Sequence, residues 1–394
     1  MSIESPALAA MRPSSVALRI RQQSSVSSSV ISPNPMTMIA LPSSRVPIPL
    51  SQTGGRRRGR GEGPDVAQRS VPRVEGMSSR ADAPTADSSP AAPVPARAAR
   101  YHSVGGPEVI DIETITVAAP EEGEVRIRLA ATGLNPVDYK IRRGTSHVAA
   151  SLPTTVGREF SGVVESVGGD VSDIAVGDRV FGSIPSGAAC DLVLAPAEAI
   201  APVPDDVHLE VAGGLALAGQ TAWDALESQT LAEGDTIVVS AAAGGVGGIL
   251  CQLAVARGLR VIGTASESNH DWLTSRGVVP VLYGEGLTER LRDAAADGIT
   301  AVFDQHGPET IRAALELGVP PERINTIATD PEPFGVRRVG RGPVHAPTLR
   351  ALVALVGSGE VEVPIAARYP LVEVREAFTR LESGHLRGKI VLVP

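Results

Sequence analysis

Cysteine is almost absent from this sequence, which holds only Cys190 and Cys251 in 394 residues. Two thiols cannot build a disulfide framework or a four-cysteine zinc site, and nothing in the pattern indicates an oxidising compartment. Both read as small core residues, with Cys251 buried and inert on a helix. Aromatic residues are scarce too, at 3% against 43% hydrophobic, so the core must be mostly aliphatic. No run of about 18 apolar residues occurs, so no membrane-spanning helix is expected. Lysine is missing from residues 1–100, which carry thirteen arginines against six acids. The whole chain is −8, so the other 294 residues carry −15. An acidic body speaks against a nucleic-acid partner for the folded part.

Residues 1–96 are dominated by Ser, Pro, Arg and Ala, with low complexity at Ser24–Ser29 and Arg56–Arg60. No apolar periodicity persists there, which predicts a disordered basic extension. Three readings stay open: an upstream extension with Met77 as an internal start, an organellar transit peptide in the first 50 residues, or a functional basic arm. Order is expected from about Ala98. Val125, Ile127 and Leu129 alternate with Glu124, Arg126 and Arg128, the period of a half-buried strand. Glycine breaks through Gly187 predict a compact β domain. From Thr236, apolar strands alternate with helices, the mark of a parallel sheet.

The segment that carries most chemistry runs from Thr236-Ile-Val-Val-Ser240 through Ala-Ala-Ala-Gly-Gly-Val-Gly-Gly into Ile-Leu-Cys-Gln-Leu-Ala. An apolar strand enters a glycine turn, and a helix follows with Ile249, Leu250 and Leu253 on one buried face. A dinucleotide pyrophosphate needs free backbone N–H groups at a positive helix N-terminus, and side chains there would block it. Ala243, Gly244, Gly245, Val246 and Gly247 are therefore expected to bind the cofactor. A second strand, Arg260-Val-Ile-Gly-Thr264, follows at βαβ spacing. It ends in Thr264-Ala265-Ser266 rather than in the acid that usually holds an NAD ribose, which points to NADPH. Glu267, one residue later, is read as a solvated helix-entry residue. Tyr283, ending the next short strand, is a candidate to close over the ribose phosphate, or is simply a strand-end aromatic.

Several motifs then occur in a fixed order: Tyr101-His-Ser-Val-Gly-Gly-Pro-Glu108, Gly133-Leu-Asn-Pro-Val-Asp138, Gly177-Asp-Arg-Val-Phe-Gly182, Ala218-Gly-Gln-Thr-Ala-Trp223, the glycine turn, Gly263-Thr-Ala-Ser266 and Gly388-Lys-Ile-Val-Leu392. From Ala98 to Pro394 the chain resembles the quinone oxidoreductase branch of the medium-chain dehydrogenase/reductase superfamily. The resemblance implies an α/β fold: a Rossmann doubly wound parallel sheet plus a GroES-like β-barrel domain. The expected division is 97–219 for the barrel, completed by 350–394, and 220–349 for the Rossmann domain. The nicotinamide would lie in the cleft between them, and a homodimer is common in the family.

Zinc-dependent relatives carry Cys, His and Cys where this chain has Asn135, Arg158 and Leu217, so no metal site is expected. By the same resemblance Asn135 faces the nicotinamide, where its amide would polarise a carbonyl; alternatively it caps its own loop. Tyr139 is a candidate proton donor or stacking partner, or a wall residue. Lys140 stands at a proton-relay position, or on the surface. Thr221 matches a threonine near the nicotinamide, or caps its helix. Lys389 is a candidate to reach the cofactor phosphates or the cleft, or is solvated. Asp138 is read as structural, and His306 as a strand-end loop residue. Ala241 replaces the family's first glycine, a change expected only to tighten the turn. Ser186–Asp191 departs from the family's Gly-x-Ala-Glu-Tyr, which bears on the barrel wall.

These readings converge on a cytoplasmic, zinc-independent reductase that passes hydride from NADPH to a small quinone or enone, with neither membrane nor nucleic acid as partner. Two alternatives stay beside it: an NADPH-binding regulatory or interaction protein with little turnover, and an enoyl-thioester reductase.

Overall fold

The computed structural model describes residues 92–146, 148–340, 342 and 344–394. The basic extension read from the sequence lies outside the described residues up to position 91. The first strand, Val94–Tyr101, opens four residues before Ala98. Its inward positions include Ala96 and Ala98, too small to give an apolar signal in sequence.

The apolar run Ile237-Val238-Val239 is fully buried because helices cover both faces of its strand, Thr236–Val239. Ile237 and Val239 pack with Leu250, Leu253 and Leu352 on one side. Val238 packs with Leu291 and Ile311 on the other. Six parallel strands form this sheet in the order Val278–Leu282, Arg260–Ala265, Thr236–Val239, Ala301–Asp304, Ile324–Thr326, Arg337–Arg338. In chain order that is 3-2-1-4-5-6, the doubly wound arrangement expected. The order reverses between Thr236–Val239 and Ala301–Asp304, which is where such sheets receive ligands.

The long strand Glu124–Leu134 organises the second, seven-stranded sheet. It pairs with Glu159–Val167 along one edge. Its other edge takes Leu192–Pro196 and then the C-terminal strand Lys389–Val393. Val125, Ile127 and Leu129 point into the core as the alternation predicts. Arg126 is buried as well, because Glu165 pairs with its Nε at 2.5 Å and the carbonyls of Ala92 and Ala118 accept from Nη1. The last five-residue strand thus belongs to the sheet begun by residue 124. Positions 219 and 349, where the sequence divides the chain, lie within the helices Ala216–Glu227 and Ala346–Gly357. Among the described residues no helix is long and apolar enough to cross a membrane.

Candidate functional site

At the reversal point Ser240 leaves its strand, and its hydroxyl donates to Asp304 Oδ1 at 3.0 Å. Asp304 is fully buried and also accepts from the hydroxyls of Thr326 and Thr329 and the backbone N–H of His306 and Gly307. Five donors hold this carboxylate, which ties three strand ends together and fixes the mouth of the crevice. His306 itself is exposed in the loop after the strand.

The glycine turn follows Ser240. Ala241 adopts φ 47°, the left-handed region that alanine disfavours, so the expected mild tightening is a strained residue. Gly244 donates its N–H to Ala241 O at 2.9 Å and caps the helix Gly245–Ala256. The first N–H groups of that helix have no intrahelical acceptor. A Cβ on Gly247 would overlap the Ala241 carbonyl, and one on Gly245 would lie 2.7 Å from Lys389 Cδ. Bare backbone at a helix N-terminus on a sheet's reversal point fits a dinucleotide pyrophosphate. Ala243 is buried, and Val246 packs partly buried on the same core as Ile249, Leu250 and Leu253.

The C-terminal strand comes directly onto this turn. Gly388 donates to Ala243 O at 2.9 Å and bridges Gly244. Its φ is 78°, and a Cβ there would collide with Pro364 O, so only glycine fits. For the next residue, Lys389, the solvated alternative fails. It is buried, and its ammonium donates to Leu134 O at 3.0 Å and Asn135 Oδ1 at 2.5 Å while pairing with Glu159 Oε1 at 2.7 Å. Three acceptors match its three N–H groups, so none is left for a cofactor phosphate.

Asn135 is fixed by the same cluster. Its Oδ1 faces the ammonium and its Nδ2 donates to Glu159 Oε1 at 2.8 Å, an assignment that leaves the amide only one orientation. The second Nδ2 hydrogen meets Gly133 O only at 3.4 Å. Glu159 is fully buried, and its other oxygen accepts the Leu217 N–H at 2.7 Å. Sequence reasoning missed Glu159. The available signal was an acid opening an otherwise apolar strand, beside a residue already under scrutiny as a zinc-ligand position.

The neighbouring Asp138 accepts the Asn135 N–H at 2.8 Å, the structural role expected of it. Burial pushes its carboxyl up to about 7. Tyr139, on the helix Pro136–Arg142, turns elsewhere and packs on the cluster of Leu134, Val374 and Phe378. Burial and then Glu382 raise its hydroxyl pKa. Lys140 is half-buried on the same helix. Thr221 is mid-helix rather than a cap, and its hydroxyl donates to Leu217 O at 2.7 Å. Thr264 is buried at the end of its strand. Ser266 receives the Asn269 side-chain N–H at 2.9 Å and shares a 3.1 Å hydrogen bond with the Ser268 hydroxyl. Glu267 is exposed and opens a short 3-10 helix. Tyr283 is partly exposed, with its hydroxyl 3.3 Å from His385 Nδ1. Cys190 and Cys251 are buried, and burial pushes the Cys190 thiol up to about 12 and the Cys251 thiol up as well. In the divergent Ser186–Asp191 segment, Ala188 and Ala189 are buried and Asp191 pairs with Arg97 at 2.9 Å.

A cleft of about 270 Å³ opens beside Asp138, walled by Tyr101, Thr154, Arg158 and Ser186 among others. A zinc ion does not fit the neighbouring cluster. Asn135, Arg158 and Leu217 offer an amide, a guanidinium and an aliphatic group, and a lysine ammonium already faces the one carboxylate. Among the described residues no three His, Cys, Asp or Glu side chains stand together as a metal site.

Two family models match the chain: alcohol dehydrogenase GroES-like domain over residues 121–205, and zinc-binding dehydrogenase over 277–392. The chain is 31% identical over 325 residues to the quinone oxidoreductase of Pseudomonas aeruginosa, covering 76% of this chain and 100% of that protein. It is 32% identical over 333 residues to the 2-haloacrylate reductase of a Burkholderia species, covering 75% and 98%. Among solved structures, the Escherichia coli quinone oxidoreductase complexed with NADPH matches with a TM-score of 0.69 at 28% identity, over 76% of this chain and all of the other.

Proposed function

The chain belongs to the quinone oxidoreductase-like branch of the medium-chain dehydrogenase/reductase superfamily and is an oxidoreductase, and from that premise we propose that it reduces a quinone or an α,β-unsaturated carbonyl with NADPH and without zinc. The observation that carries this reading is the meeting of the bare glycine turn with the buried Lys389–Glu159–Asn135 cluster. Bound NADPH would supply the hydride. Gly244, Gly245 and Gly247, with Ala243 and Val246, would hold its pyrophosphate at the helix N-terminus. Ser266 and Thr264 would face the 2′-phosphate, Tyr283 would flank it, and Thr221 would lie toward the nicotinamide.

An alcohol dehydrogenase needs a Lewis acid to stabilise an alkoxide. A quinone or enone does not, because conjugation carries the incoming charge to its oxygen. The chain's own residues then have three tasks. Asn135, locked by Lys389 and Glu159, keeps one N–H only weakly engaged by Gly133 O, which would donate to an acceptor oxygen placed along it. Asp138 stores a proton at the cleft wall near neutral pH. The cleft orients a planar acceptor. Tyr139 and Lys140 enter as helix residues shaping the wall. The relatives support this breadth, since 2-haloacrylate is an electron-poor alkene and a quinone an electron-poor dienone.

The test is NADPH oxidation followed by absorbance with 1,4-benzoquinone, small enones and aldehydes, repeated with NADH and with a chelator. Turnover of quinone or enone, faster with NADPH, unaffected by the chelator and absent with aldehydes, is expected. Background rates throughout, or activity lost to the chelator, overturn it.

A further inference from the structure

Four of the less exposed arginines have acidic partners, while Arg290 and Arg323 donate to backbone carbonyls. Arg126 pairs with Glu165, Arg142 with Glu382, Arg179 with Asp205 and Arg276 with Glu362. Arg158 differs. Its Nε is buried without a hydrogen-bond partner, as in Arg142 and Arg276, but unlike theirs its guanidinium forms no ion pair among the described residues. Among the described residues it is also the one lysine or arginine on the wall of the cleft beside Asp138.

The backbone explains why this side chain stands there. The Arg158 carbonyl accepts the Ser183 hydroxyl and the Ile184 N–H, each at 2.8 Å, which fixes the residue. Adjacent residues of an extended chain point to opposite sides. Glu159 turns inward to Lys389 and to the Leu217 N–H, so Arg158 turns to the cleft. The hydroxyls nearby are already engaged. Ser186 donates to Thr155 O at 2.6 Å, which makes Thr154 the donor in its 3.1 Å bond to Ser186. Asp138 accepts the Asn135 N–H with one oxygen, and burial raises its carboxyl to about 7 against the nearby charges of Arg158 and Lys389.

We propose that the acceptor reduced in this cleft carries a carboxylate, which Arg158 holds through paired N–H donors on one edge of its guanidinium. The inference rests on the hydride-transfer reading above and names its substrate class: small electron-poor alkenes or quinones bearing an acid group. Guanidinium and carboxylate match as a planar two-bond fork, which a neutral acceptor cannot offer. The carboxylate is a handle and takes no part in bond making. Asp138 on the cleft wall accepts the Asn135 N–H, so the held acceptor lies beside the Asn135 cluster.

The probes are trans-4-oxo-2-pentenoate and its methyl ester, assayed by NADPH oxidation with the intact chain, R158Q and R158K. The ester is the stronger electrophile, so a preference for the acid cannot come from intrinsic reactivity. The expected kcat/KM ratio of acid to ester is at least about tenfold. It falls to about one in R158Q and is partly kept in R158K. A ratio near one in the unaltered protein, or a ratio unchanged in R158Q, overturns the proposal. Should R158Q not fold, the unaltered protein and R158K decide. A second arm decides if nothing is turned over: calorimetric titration of the NADP-loaded protein with benzoate and benzamide. An Arg158-dependent preference for benzoate then keeps the carboxylate site while the reductase reading falls; no preference sinks both. Turnover of benzoquinone without any preference for the acid sinks the site alone.

Discussion

Lys389 and Glu159 lie 2.7 Å apart with 4% and 0% of their side chains exposed, an ion pair formed between the last strand of the chain and the first residue of a central one. Removing one partner from a buried pair leaves the other charge without compensation, which costs about 3–5 kcal/mol. Glu159→Gln should therefore lower unfolding stability by about 3 kcal/mol, read by urea denaturation. It should also free the Asn135 amide and lower kcat with benzoquinone more than it raises KM. Unchanged stability would show that the pair is not buried in solution.

Gly247 meets the Ala241 carbonyl so closely that no side chain fits without moving the turn. Gly247→Val should abolish NADPH binding in a fluorescence titration, with an affinity loss of at least about 100-fold, or about 2.7 kcal/mol. Gly169, whose Cβ would meet nothing and whose φ is not positive, is the control position for added bulk.

Ala241 sits at φ 47°. A left-handed residue with a Cβ costs about 1–2 kcal/mol, and glycine returns part of that as chain entropy. Ala241→Gly should raise stability by about 0.5–1 kcal/mol, measured as a shift of the denaturation midpoint.

Asp138 has a carboxyl pushed up to about 7 by burial, against an ordinary 3.8. The folded chain thus binds more protons than the unfolded one between those values. Stability from this group is full below pH 3.8 and is lost as pH rises toward 7, by an amount on the order of a few kcal/mol. Asp138→Asn should flatten the pH dependence of stability across pH 4–7. A profile identical to that of the unaltered chain would refute the shift.

The Rossmann half was legible because each of its rules is local. An apolar run covered on both faces, a glycine turn and a helix with one buried face are all written within about twenty residues. Ile249, Leu250 and Leu253 are buried as their spacing predicts. The chemistry around Asn135 was not legible, because it is assembled from positions 24 and 254 residues away. Lys389 in particular reads as a candidate for the phosphates or the cleft, or as a solvated lysine, and its carboxylate partner emerges only when the strand that carries it is paired. Ala96 and Ala98 hid the first strand for a simpler reason, since alanine carries little hydrophobic signal.

The pairing of Gly388 with Ala243 and of Lys389–Val393 with Glu124–Leu134 has a consequence for the order of folding. The bend is braced and Glu159 is neutralised only through contacts between distant parts of the chain, 254 residues apart for Lys389 and Asn135. Such contacts must overcome a large loop-closure entropy before they form, so the nucleotide cradle is completed late in folding.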